Sequence, residues 1–318
     1  MTTVQKVSWI IGAAAVATVV PMSARAQNEI YKSQIDTTVR LDRGGAVDLS
    51  LISGRIRVTG WDRQDVKISA SIETGTLKFD ANSSRVTLTV DDNDDDHRRH
   101  RRNNVGDARY DVSVPRGARL ILEAVSGDVT ASGSQGEIEA TSVSGDVEVS
   151  DGVRSVSAES VSGSVRVAQV NGNLRAETVS GNLRAQGVSG DVEASSVSGN
   201  VQLVNIQSKD VRSETVSGDI IYTGTIEPSG RYNFEAHSGT IRLNIPKGTG
   251  AQFSVETFSG DLSTDFPVTL PPRRGRGHDE SRVEFTIGDG RARVTAQTFS
   301  GRVIINSGSD STTRRDDE

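Results

Sequence analysis

The chain contains no cysteine. That excludes disulfides, thiolate metal sites and a lipid-modified N-terminal cysteine. Aromatics are 4% of its 318 residues and hydrophobic residues 34%. An ordinary globular core takes much of its buried area from Phe, Tyr and Trp, so a thick core of that kind is excluded as well. Only four histidines are present, which leaves imidazole chemistry little footing. The formal net charge of −6 lacks the basic footprint of a nucleic-acid binder. Beyond the first 26 residues no apolar run approaches the length needed to span a bilayer. What the chain has in quantity is glycine, 32 in all, with abundant Val, Ser and Thr. That composition favours many short strands joined by tight turns.

Residues 1–26 read as a targeting segment. "MTTVQK" carries one Lys, "VSWIIGAAAVATVV" is a short apolar run, and Ala24-Arg25-Ala26 fits the A-x-A cleavage pattern. The run falls short of the roughly 20 residues of a membrane span. The expectation is an exported chain, periplasmic or secreted to the cell surface, with no transmembrane segment once the leader is removed.

From about residue 125 to 206 one offset of nine residues organises the sequence. Val129, Ile138, Val147, Val156, Val165, Leu174, Leu183, Val192 and Val201 form one aliphatic column. Two residues later a second column, from Ala131 to Leu203, is wholly apolar. Two residues before the first column stands a glycine, from Gly127 to Gly199, with Arg154 the single exception. Apolar residues at i and i+2 make one face of a short strand. Ser-Gly before each strand supplies a bend, ascribed here to the backbone freedom of glycine. One such strip cannot bury its own face, so the units must stack. The fold expected is all-β: a single-stranded β-helix or β-solenoid with about 18–21 residues per coil and two main faces. Three strands per coil and an antiparallel meander produce the same nine-residue signal and rank below it.

Weaker echoes at 51–72, 110–129, 241–262 and 285–303 extend the solenoid to 45–306, on the order of 60 Å at the strand spacing. Residues 27–44 are a lead-in and 307–318 a polar tail expected to be disordered. Two segments break the pattern: the charged insert 91–107, "DDNDDDHRRHRRNNVGD", and the basic loop 271–281, "PPRRGRGHDES". Both read as solvated excursions between strands.

With its repeats aligned, the chain resembles the bacterial "putative adhesin" family, envelope β-solenoids otherwise described as a domain of unknown function. The resemblance rests on "GRIRVTGWDRQDVKIS" (54–69), "YDVSVPRGARLILEAVSGDV" (110–129) and the serial "VSGDV" and "VSGNV" units. It implies an exported, non-catalytic, right-handed β-helix-like protein.

Candidate chemistry is sparse. Asp128, Asp146, Asp191, Asp219 and Asp261, with Asn173, Asn182 and Asn200, follow the corner glycines. They offer a ladder for calcium or a cationic ligand; more plainly, they hydrogen-bond their own turns. Asp94, Asp96, His97 and His100 are candidate metal ligands, although an acid-and-arginine loop pairs with itself more commonly. Arg98, Arg99, Arg101, Arg102, Arg273, Arg274 and Arg276 are candidates for a polyanion-binding surface, against the default of a solvated basic loop. No cofactor and no catalytic residue is indicated. The leading reading is a non-enzymatic, adhesin-like binding or scaffold protein of the cell envelope, whose partner is a polysaccharide or a surface protein. Next comes an accessory or sensory component of an envelope-stress system that binds a protein or peptide. A carbohydrate-active solenoid enzyme is third, and carboxylates gathered on one groove would favour it.

Overall fold

The computed structural model describes residues 30–91, 106–267 and 282–308. Among these residues every regular element is a β-strand, and 25 strands join one continuous sheet folded into two layers. The leader, most of the insert 91–107, the loop 271–281 and residues 309–318 of the tail lie outside the described residues; Ser307 and Gly308, read as tail, end the strand Val303–Gly308.

In the middle of the chain, successive strands alternate between the layers. Glu137–Ser142, Ser155–Ser160, Asn173–Thr178, Val192–Ser198, Asp210–Ser217 and Arg231–Ser238 pair in parallel to make the first. Val147–Ser150, Val165–Val170, Leu183–Val188, Val201–Ile206, Ile220–Gly224 and Ile241–Pro246 make the second. Equivalent corner residues on neighbouring rungs are 18 positions apart at Asp128 and Asp146, 19 at Asn200 and Asp219, and 21 at Asp219 and Thr240. Among the described residues the middle of the chain is therefore a parallel stack rather than a meander.

Both apolar columns point inward. Val147, Val165, Leu183 and Val201 are buried in one layer, and Val156, Leu174 and Val192 in the other. The second column is small, with Ala140, Ala158, Ala176 and Ala194 buried, because the two walls come close together. Where the rungs lengthen, the gap fills with larger groups. Tyr222 packs on Tyr232 at 6.1 Å and on Phe234 at 5.3 Å between ring centroids. Their hydroxyls reach loop carbonyls, Tyr222 donating to Thr225 at 2.6 Å and Tyr232 to Ser208. Burial raises both phenols, Tyr232 to about 12, so they stay neutral donors at any physiological pH.

The ends depart from the repeat. Ala46–Trp61 is one long strand bent at Ser53-Gly54, so it serves both layers, and it pairs along most of its length with the similarly bent Arg119–Ser132. Its other edge takes Arg85–Asp91 and Ala108–Pro115. Beyond these the pairing turns antiparallel: Asp65–Ile72 and then Gln34–Arg40 on one layer, Thr76–Ala81 and then Ile30–Lys32 on the other. The segment read as a lead-in thus contributes two strands, and the echo at 51–72 divides between a parallel rung and an antiparallel cap.

At the far end the chain does not stack in order. After Ile241–Pro246 it runs outward to Ala251–Ser259 and Leu262–Thr264, with Arg282–Ile287 antiparallel on the edge. It then returns. Ala292–Ser300 inserts between Arg231–Ser238 and Ala251–Ser259, and Val303–Gly308 between Ile241–Pro246 and Leu262–Thr264. Among the described residues, the strands that come last in sequence are therefore not outermost in space.

Candidate functional site

Each Val-Ser-Gly corner joins the two layers, and its residues divide the work. The Ser or Thr before the Val turns inward: Ser142, Ser160, Thr178, Ser196 and Thr215 are buried. Their hydroxyls donate to the carbonyls of Gly127, Gly145, Gly163, Gly181 and Gly199 at 2.8–3.2 Å. A Cβ on Gly145, Gly163 or Gly181 would lie 2.0–2.1 Å from the carbonyl oxygen of the glycine one rung below. Most of these corners have ordinary φ; only Gly54, Gly239 and Gly301 among them lie at positive φ. Close stacking of backbones, not conformational freedom, is why the corner is glycine, and this corrects the reading from sequence. The contacts run from Gly218 to Gly239, to Gly301 and then to Gly260, the order of the rungs in space.

The acid or amide after the glycine also acts between rungs. Asp128 Oδ1 accepts the Asp146 N–H at 3.0 Å, Asp146 that of Ser164 at 2.9 Å, and Asn182 that of Asn200 at 3.0 Å. Asn173 does the same for Asp191 at the opposite corner, at 3.2 Å. The eight candidates therefore belong to two separate edges, and these oxygens cap the next rung rather than their own turn. Asp146 also accepts from Arg166 at 2.6 Å, and that hydrogen bond holds its carboxyl below the usual range. Among the described residues no three His, Asp or Glu side chains are gathered so as to hold a metal ion. Asp94, Asp96, His97, His100, Arg98, Arg99, Arg101, Arg102, Arg273, Arg274 and Arg276 lie outside the described residues.

The Val of the corner points out. Val125, Val143, Val161, Val179, Val197 and Val216 are 43–50% exposed, one above another on successive rungs. His237, Phe299 and Phe258 continue the line in spatial order. Their rings stack in parallel, with centroids 5.0 and 4.8 Å apart, and Phe258 is 74% exposed. The result is an apolar stripe along the long axis, ending in an aromatic stack. An open groove of about 640 Å³ runs beside its far half, from Val197 to Phe258. The signal in the sequence is the residue before each Ser-Gly, in "VSG", "EAHSG", "ETFSG" and "QTFSG", an outward column that the inward columns do not reveal.

Acids flank the stripe. Glu123, Glu159, Glu177, Glu214, Glu235 and Glu256 stand two residues before it, and Asp128, Asp146, Asp219 and Asp261 three residues after it. Three of the glutamates line the groove: Glu214, Glu235 and Glu256. This is the feature that would favour an enzyme, but they come one per rung. Glu214 pairs with Arg212 at 2.6 Å, Glu235 accepts from Asn233 at 2.5 Å, and the rung carrying Gln297 separates Glu235 from Glu256. Glu214 and Glu235 are register partners on adjacent rungs, about one strand spacing apart, and each is engaged by a neighbour on its own strand.

Comparison with known proteins places this geometry in context. Residues 56–306 match the Toastrack DUF4097 domain, a domain of unknown function. No curated protein matches. Similar solved structures include a "putative cell adhesion protein" from Clostridium sporogenes, 12% identical over 86% of this chain and 99% of that one, with a TM-score of 0.21. A "putative adhesin" from Bacteroides fragilis is 12% identical over 86% and 97%, TM-score 0.37. A "putative lipid binding protein" from Parabacteroides distasonis is 13% identical over 87% and 95%, TM-score 0.37. Likenesses this distant carry no argument about what the present chain binds. The domain match spans most of the sequence, and the chain belongs to the Toastrack DUF4097 family.

Proposed function

We propose that the chain is an exported, non-enzymatic binding protein of the bacterial cell envelope, a right-handed β-solenoid with coils of 18–21 residues. The observation that carries the binding role is the stripe from Val125 to Phe258. Soluble proteins rarely expose so long a contiguous apolar run unless something covers it. A rigid stack presents these side chains in register, so weak contacts add along its length. Valines offer no ring face to a sugar, which favours a protein surface over a polysaccharide along most of the stripe.

The test is retention of envelope proteins and polysaccharides by immobilised residues 27–318, compared with V161S/V179S/V197S. We expect retention of a protein by the parent and its loss in the variant. Retention that is equal in both would remove the stripe from function. Cleavage of envelope glycans without retention would return the enzyme reading.

A further inference from the structure

Resting on that reading, we infer that the stripe docks a cationic amphipathic α-helix of a partner protein or peptide, laid along the solenoid axis. Three observations converge on this occupant. The first is charge. The stripe runs between a glutamate row and a sparser aspartate row that is neutral at Ser164, Asn182, Asn200 and Thr240. Arginines already pair with Asp146, Glu177 and Glu214, whereas among the described residues Glu123, Glu256, Asp128 and Asp261 make no ion pair with a basic side chain. Arg302 is the single base in the Asp row. A partner with an apolar centre and Lys or Arg on both flanks meets each row with the opposite sign.

The second is spacing. The rungs repeat at about 4.8 Å, and a helix presents apolar residues once per turn, about every 5.4 Å. An extended strand lying along the same line presents one side chain to it about every 6.7 Å and loses register within two rungs. A helix with apolar residues three and four apart slips by only about 0.6 Å per rung, so over four turns it stays within about half a rung of the valines.

The third is shape. The groove beside Val197, Val216 and Phe258 gives such a helix a wall at one end, where His237, Phe299 and Phe258 form a larger apolar platform. A second copy of this chain fits less well, because stripe against stripe would set acidic rows against acidic rows.

The probe is a synthetic Leu/Lys amphipathic helix about 27 Å long, titrated into residues 27–318 by fluorescence anisotropy. Alongside it run a shuffled peptide of equal composition and the same helix with Glu in place of Lys. Only the cationic amphipathic helix is expected to bind saturably and to gain helical circular dichroism. Affinity should fall about tenfold or more in V161S/V179S/V197S, in E159Q/E235Q/E256Q, and on raising the salt. The off-stripe variant E137Q/E139Q/E193Q should bind as the parent does. Melting curves verify that each variant is folded. Equal binding of the shuffled or Glu-bearing peptide, unchanged binding by the stripe variant, or a stripe-dependent dimer in sedimentation would overturn the inference. If no helix binds but the stripe variant still loses envelope retention, the helix is wrong and the binding face stands. If retention is also unchanged, both fall.

Discussion

At Gly163 an added Cβ would sit 2.0 Å from the Gly145 carbonyl oxygen, a backbone atom that cannot move without shifting a whole rung. Gly163→Ala should therefore cost about 3 kcal/mol by overpacking. Gly117→Ala, where a Cβ meets nothing within 4 Å, should stay within about 0.5 kcal/mol. Urea denaturation of the two variants checks the contrast. Ser213 gives the opposite sign. Its buried hydroxyl has no hydrogen-bond partner, and its register neighbour one rung back is Ala194. Ser213→Ala should raise stability by about 1 kcal/mol, read as a higher midpoint in the same assay. Asp146 links the corner to pH. Its pairing with Arg166 lowers the folded-state pKa, so its contribution is present above the ordinary carboxylate value and fades as pH falls through the lower one. The side chain is 46% exposed, so the pairing with Arg166 contributes under about 1 kcal/mol. Asp146→Asn keeps the acceptor for the Ser164 N–H and should melt nearly like the parent at pH 7, whereas Asp146→Ala loses it and should melt lower. The glycine and aspartate columns were visible in the sequence. Their purpose was not, because a contact between residues 18 positions apart looks the same in one dimension as a local turn.

The strands show the same division between what repeats and what does not. Inward columns at 129, 138 and 147 are legible because each strand buries alternate residues and each corner keeps its phase. The far end is illegible for a definite reason: Asn306 contacts Asn244 across 62 residues, and no periodicity marks such a pairing. Among the described residues the only parallel partner of Ala251–Ser259 is the returning Ala292–Ser300. Truncation after residue 290 should therefore strip amide protection from Ala251–Ser259 and lower it in Arg231–Ser238, which keeps its pairing with Asp210–Ser217, while the rungs near Val147 keep theirs. Hydrogen exchange resolved by segment measures this. Loss confined to Arg231–Ser238 would show that Ala251–Ser259 is held by something other than the inserted strand.

For the molecule as a whole, each rung touches mainly its neighbours, so stability approximates a sum of rung and interface contributions. Folding speed does not follow from that sum. The bent strands Ala46–Trp61 and Arg119–Ser132 pair across a long intervening segment, and the far end closes across a comparable gap, so loop-closure entropy falls on both ends. Trp61 sits at the near end, its indole N–H donating to Asp65 at 2.7 Å. After dilution from denaturant, its fluorescence should recover before residues 292–308 gain exchange protection. The interleaved far end also sets an order of events for a chain emerging from a narrow channel N-terminus first. The earlier rungs can assemble as they appear, but the slot between Arg231–Pro246 and Ala251–Thr264 stays empty until the final strands arrive to fill it. The described fold is closed by a dovetail whose key follows, in the chain, both of the walls it joins.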